Sequence, residues 1–268
     1  MSTNFENNTF KKRLKSMLGV DFKRMFISPL YYIMVGISLV MPILILVMTS
    51  MMDGMVSTDP QTGAVTVMEG FKNVWQIIGS AGGDSSAMMG MDITSMCNIN
   101  MMFFIIAIFV CVFVADDFRS GYVKNLFTVR ANKTDYVISK SVVCFVAGAS
   151  MIIAFFIGSM IGGAIAGLPF ALEGVHVGNI IMCLLSKILL VGIFSSIYLL
   201  ASIVAKQKLW LSLILSFGIG MLMFMMIPII TPLNSTIINV ILSLVGSGLF
   251  AVGIGTGSYF ILKKTSLV

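Results

Sequence analysis

The chain has 268 residues, of which 58% are hydrophobic and only 10% charged, with a formal net charge of +6. A soluble domain carries about 25% charged residues, so this composition excludes an ordinary globular enzyme and points to a multi-pass protein of the lipid bilayer. The positive balance calls for no nucleic acid partner, because cytoplasmic loops of membrane proteins collect Lys and Arg for topological reasons.

Residues 10–28 come first. Phe10, Leu14, Met17, Leu18, Phe22, Met25 and Phe26 recur at three- to four-residue spacing, with Lys11, Lys12, Arg13, Lys15, Lys23 and Arg24 mostly on the other side. The pattern predicts an amphipathic helix on the inner membrane surface, its cations toward anionic headgroups. No short apolar core with a small-residue cleavage site precedes it, so an uncleaved cytoplasmic N-terminus is expected. Ser28-Pro29 marks the start of a new element.

Six apolar segments follow, at roughly 30–52, 97–115, 137–167, 178–205, 209–230 and 236–262. Each meets the requirement of about 20 residues for a crossing. The expected fold class is an all-α polytopic membrane protein, with six transmembrane helices in a single domain over 1–268. Under this assignment fifteen of the seventeen Lys and Arg residues fall on one side; Lys72 lies opposite and Lys187 inside a span. Both termini are therefore expected in the cytoplasm, with the chain in the cell membrane. Small residues four apart, Gly158 with Gly162 and Gly253 with Gly257, allow close helix contact.

The one long outer loop, 53–96, is acidic and rich in Gly, Ser and Met. Val67–Ile78 reads as a short amphipathic helix with Phe71, Val74, Trp75 and Ile78 on one face and Trp75 at the membrane interface; Gly79–Gly83 reads as a break. The loop is expected to pack on the bundle as a lid. Four scattered cysteines (Cys97, Cys111, Cys144, Cys183) show neither metal nor disulfide spacing. No phosphate-binding loop, zinc-protease motif or nucleophile elbow is present, and His176 stands alone in a loop. No catalytic, cofactor-binding or metal-ligating residues are assigned, and an independent enzyme is not expected.

The polar break at 116–136, between the second and third apolar segments, is the most informative stretch. Gly121 permits a tight turn, Tyr122, Val123, Leu126, Phe127 and Val129 form an apolar ridge, and Lys124, Arg130 and Lys133 surround it. An apolar ridge rimmed by charge on a cytoplasmic segment reads as a partner-binding surface.

Asp117-x-x-x-Gly121-x-x-Lys124-Asn125-Leu126, then Arg130, then Tyr136-x-x-Ser139-Lys140, resembles the pattern after the second span of type-2 ABC exporter permeases. Tyr122 departs from it, because that family usually has Thr there. The resemblance implies that the segment is a coupling helix docking on a separate cytoplasmic ABC ATPase. That partner would hold the ATP and Mg²⁺ for which this chain has no motif. A second permease copy or a paralogue would complete the transporter. It further implies apolar contacts from Tyr122, Val123, Leu126 and Phe127, charge complementarity from Lys124 and Arg130, and a turn set by Asp117 and Gly121 beside Asn125. The expected cargo is an amphipathic peptide or antimicrobial.

Two features point to a substrate path. Lys187 lies in the fourth segment, where a lysine costs about 2.5–3.5 kcal/mol on insertion scales, and no predicted span carries an acid to pair with it. It reads either as a snorkelling or hydroxyl-bonded residue or as a site for an anionic or carbonyl-rich substrate. Met221 and Met225, in a Met-rich stretch of the fifth segment, read as packing or as a soft lining. Two other functions stay open on the residues alone: a self-contained channel or ion-coupled carrier using Lys187, and a membrane interaction or sensor protein using the basic loop.

Overall fold

Two helices meeting at a one-residue corner begin the fold. The computed structural model describes residues 2–58, 65–67, 70–79, 97–129, 133–171, 175–224 and 226–264. Helix α1 spans Ser2–Ile27 and α2 spans Pro29–Met52. Pro29 opens α2, where its missing N–H is no loss and its fixed φ suits the helix. Ser28 before it is extended (φ −68°, ψ 123°), as a residue preceding Pro is biased to be.

After α2 the chain makes a small antiparallel ribbon, β1 (Val56–Thr58) with β2 (Val65–Val67), and a 3-10 turn over Val74–Ile77. The helix expected over 67–78 is thus replaced by a strand and a single turn. The reason lies in where the polar groups bond. The Asn73 side chain accepts from Trp75 N (2.9 Å) and donates to Ala171 O (2.6 Å), and Trp75 Nε1 donates to Phe170 O (2.6 Å). The bonds to Ala171 O and Phe170 O tie the segment to the 168–171 loop. Phe71, Val74, Ile77 and Ile78 are buried, and Trp75 lies against Phe156 and Phe170. Of the expected break over Gly79–Gly83, only Gly79 falls within the described residues.

A 3-10 turn at Ile99–Met101 leads into α3 (Met102–Arg119), followed by α4 (Tyr122–Val129), α5 (Lys133–Ala166), α6 (Val177–Ala205), α7 (Leu209–Phe224), α8 (Ile227–Ile230) and α9 (Ile237–Lys264). The limits of the expected polar break shift accordingly: 116–119 continue α3 and 133–136 already belong to α5. Among the described residues, five helices, α2, α3, α5, α6 and α9, are long and apolar enough to cross a membrane. The molecule is therefore an all-helical, multi-pass membrane protein apart from its small ribbon.

The fifth apolar segment differs from the continuous span expected over 209–230. Helix α7 has 16 residues, about 24 Å at 1.5 Å per residue, against a hydrocarbon core of about 30 Å. Pro228 has no N–H to give the Phe224 carbonyl one turn back, which weakens a helix there; α7 ends at Phe224 and the short α8 begins at Ile227.

Helices α3 and α6 form the interior of the bundle, while α2 and α9 lie outside it. Backbone approach fixes α2 against α5. A Cβ on Gly158 would strike Leu39 O and reach 2.8 Å from Pro42 Cγ, and one on Gly162 would lie 2.7 Å from Ile43 Cα. These glycines form the hollow that receives Pro42. Gly253 and Gly257 on α9 have nothing within 4 Å, so only the first glycine pair mediates packing within the chain.

Candidate functional site

Helix α4 turns its apolar side inward. Val123 is buried in the core, and Tyr122, Leu126 and Phe127 are half-buried, with Leu126 and Phe127 packed against that core. Phe127 meets the Tyr136 ring edge-on at 5.8 Å. The ridge expected to greet a partner instead seats the helix on its own bundle, and Val123 is closed to any outside contact. The face left in water carries Lys124, Asn125 and Thr128. Arg130 lies outside the described residues.

Gly121 makes the turn into α4 at φ +72°. Nothing lies within 4 Å of a Cβ placed there, so the need for glycine is conformational, not steric. Gly121→Ala should cost about 1–2 kcal/mol, and Gly121→Asn less, because Asn visits left-handed backbone more readily. Melting temperatures falling in the order Gly, Asn, Ala would bear this out; an Ala variant as stable as the parent would refute it.

Asp117 does not shape that turn. It is fully buried at the end of α3, and Ser120 satisfies the turn by bonding Asp116 O through its N–H (2.9 Å) and its hydroxyl (2.6 Å). Asp117 instead joins a charge cluster across three helices. Its Oδ1 lies 2.6 Å from Arg24 Nη1 of α1, and its Oδ2 lies 2.8 Å from Lys140 Nζ of α5 and accepts from Tyr136 OH at 2.9 Å. Lys140 Nζ also donates to Asp21 Oδ1 (2.9 Å), while Ser139 Oγ donates to Asp21 Oδ2 (2.6 Å). Asp21, Asp117 and Lys140 have no exposed side-chain surface. Two carboxylates thus face two cations, and the cluster is neutral as a whole.

Aromatic rings close the cluster from the sides. The Arg24 guanidinium lies 4.1 Å from the Tyr122 ring centroid, and Lys140 Nζ lies 4.2 Å from that of Phe113. Burial works to lower the Arg24 pKa, but the charge of Asp117 and the bond to it prevail and hold it above its ordinary value. Burial first, then Asp21, raises the Tyr122 phenol, with Arg24 pulling the other way. Both groups therefore keep their protons at neutral pH. Two further contacts brace the same end: Arg13 Nε sits 3.3 Å from Asp135, and Lys133 Nζ donates to Leu262 O (2.6 Å), a cation at the C-terminal end of α9.

Asp21, Arg24 and Lys140 were not among the expected site residues. For Asp21 the signal was present: it sits four residues from both Met17 and Met25, an acid in the middle of the stripe that α1 buries.

On the other side of the bundle, Lys187 of α6 is fully buried. It does not snorkel. Its Nζ donates to Asn100 Oδ1 (2.8 Å) and to Thr231 Oγ1 (2.9 Å), at the end of α8. Met221 is 69% exposed on α7 and shares no site with Lys187, and Met225 lies outside the described residues.

A family model described as ABC-2 family transporter protein matches residues 22–223. No curated protein and no solved structure matches the chain.

Proposed function

We propose, from the premise that this chain belongs to the ABC-2 family of transporter proteins, that it is the membrane subunit of an ATP-driven exporter and takes up the work of a separate ATPase through α4. The role of an ABC transporter permease follows from the family; the site of coupling and the direction of transport are the proposal. One observation carries the coupling role. A short helix carries Lys124, Asn125 and Thr128 as its fully exposed described side chains, while its seat is braced by a buried ionic cluster. A push on α4 has a stiff path into α1, α3 and α5, because that cluster bonds residues of all three.

In this reading Gly121 aims the helix, and Lys124, Asn125 and Thr128, with the rims of Tyr122, Leu126 and Phe127, meet the ATPase. Arg130 adds charge at its end, and Val123 and Asp117 hold the seat. ATP and Mg²⁺ are bound by the partner chain. Residues 1–268 form a single permease domain of six crossings, the fifth built from α7 and α8 with a break between them. The 70–79 segment lies outside, both termini lie on the cytoplasmic side of the cell membrane, and α1 rests on the inner leaflet. Met221 and Met225 line a path only where α7 faces a second permease, so the methionine lining requires a dimer. An amphipathic peptide is the substrate we favour, since adaptable Met side chains accept varied shapes.

The test is co-purification with a candidate ABC ATPase from the same organism. Lys124→Glu combined with Thr128→Glu should weaken that complex at least tenfold, about 1.4 kcal/mol, and abolish permease-stimulated ATP hydrolysis without changing helical content. A complex of undiminished strength would rule out this face of α4 as the docking surface.

A further inference from the structure

The two fully buried lysines of this chain have opposite surroundings. Lys140 lies within 2.9 Å of two carboxylates. Lys187 is equally buried, yet its hydrogen-bond partners among the described residues are the neutral oxygens of Asn100 and Thr231. An ammonium has three N–H donors; these bonds take two of them, and neither partner carries a counter-charge. We infer that Lys187, Asn100 and Thr231 form an anion-binding site, completed by a carboxylate or phosphate group that the transported molecule brings with it. This deepens the exporter reading and rests on it for the word transported.

The setting favours a ligand over simple packing. A lone ionisable group at membrane depth marks a substrate path by default, and non-helical backbone is tolerated there where it is buried or lines a route. Thr231 is buried on such backbone. It follows the interrupted α7–α8 segment, and its hydroxyl also donates to Ile227 O at 2.8 Å, so it accepts from Lys187 while fixed to α8. Three separate stretches meet at this one nitrogen: Asn100 before α3, Lys187 in mid-α6 and Thr231 after α8. Broken helices around a midplane site are the arrangement by which membrane carriers hold charged cargo.

The Sγ of Cys183, one turn before Lys187, contacts Thr231 O at 3.7 Å. A Cβ on Gly79 would lie 3.2 Å from Leu233 N and 3.5 Å from that same sulfur. Gly79, at the end of the 70–79 segment, thus packs beside Cys183 and Leu233, next to the polar group.

The full chain in nanodiscs, without any ATPase, tests the inference. The probes are oleate, oleyl alcohol with the same tail and no charge, and inorganic phosphate, read by ligand-induced thermal shift and titration. Oleate should bind at least about tenfold more tightly than oleyl alcohol, and Lys187→Met should erase the difference. Thr231→Val serves as a milder second variant should the first misfold. Phosphate binding that also depends on Lys187 would support the site and identify its ligand as water-borne. Equal affinity for acid and alcohol, or oleate selectivity that survives Lys187→Met, would overturn it and leave an uncharged, structural lysine. Failure here with an intact ATPase complex refutes only this site, whereas selective oleate binding without ATPase assembly refutes the exporter reading.

Discussion

Asp117→Asn should cost about 3–5 kcal/mol of stability, the range for removing one partner of a buried ion pair. The substitution keeps the shape of the side chain and deletes its charge. Arg24 and Lys140 would then share only Asp21, which lies 4.0 Å from Arg24 and 2.9 Å from Lys140, and a neutral cluster would become a buried net cation. Lys140→Met should cost a similar amount for the opposite reason, leaving two buried carboxylates against Arg24 alone. The double variant removes one charge of each sign and restores neutrality. It should recover at least half of the loss, the non-additivity that coupled charges produce. Melting temperatures of the purified chain and its two single and one double variants decide the matter. A double variant that loses the sum of both singles would mean that the four groups are neighbours without being a network.

Gly158→Leu should abolish folding of the bundle, and Gly158→Ala alone should cost about 1–3 kcal/mol, as overpacking does. The added carbon has nowhere to go, since it meets the Leu39 carbonyl and the Pro42 ring, both parts of a helix that cannot yield locally. Helix α2 would have to move off α5. Gly253→Ala is the matched control. With open space around it, it should gain up to about 1 kcal/mol from better helix propensity. Thermal melts in detergent separate the cases; equal effects at the two sites would contradict the α2–α5 contact.

The class of the protein and one turn were legible from residue types alone. A positive-φ glycine between an apolar helix and a polar one was readable, because few other residues take that backbone. So was the membrane class, since 58% hydrophobic residues exceed what a soluble core consumes. The inward turn of α4 was not. Tyr122, Val123, Leu126 and Phe127 form an apolar side in either case, and a helical wheel does not say whether that side meets a partner or the chain's own core. The fate of 67–78 was also hidden, because its apolar spacing fits a helix as well as a plug. The choice fell to hydrogen bonds from Asn73 and Trp75 to carbonyls 95 and 98 residues away.

By itself the sequence determined the membrane class and the family it joins, because these depend on composition and local pattern. Only the tertiary structure decided which charges are neighbours. Asp21, Asp117 and Lys140 are spread over about 120 positions and meet because α1, α3 and α5 converge at one end of the bundle. The same packing gives Lys140 its counter-charges and denies them to Lys187. In a low-dielectric interior the partner a charge finds, more than the charge itself, sets what it does, and that partner is a property of the fold.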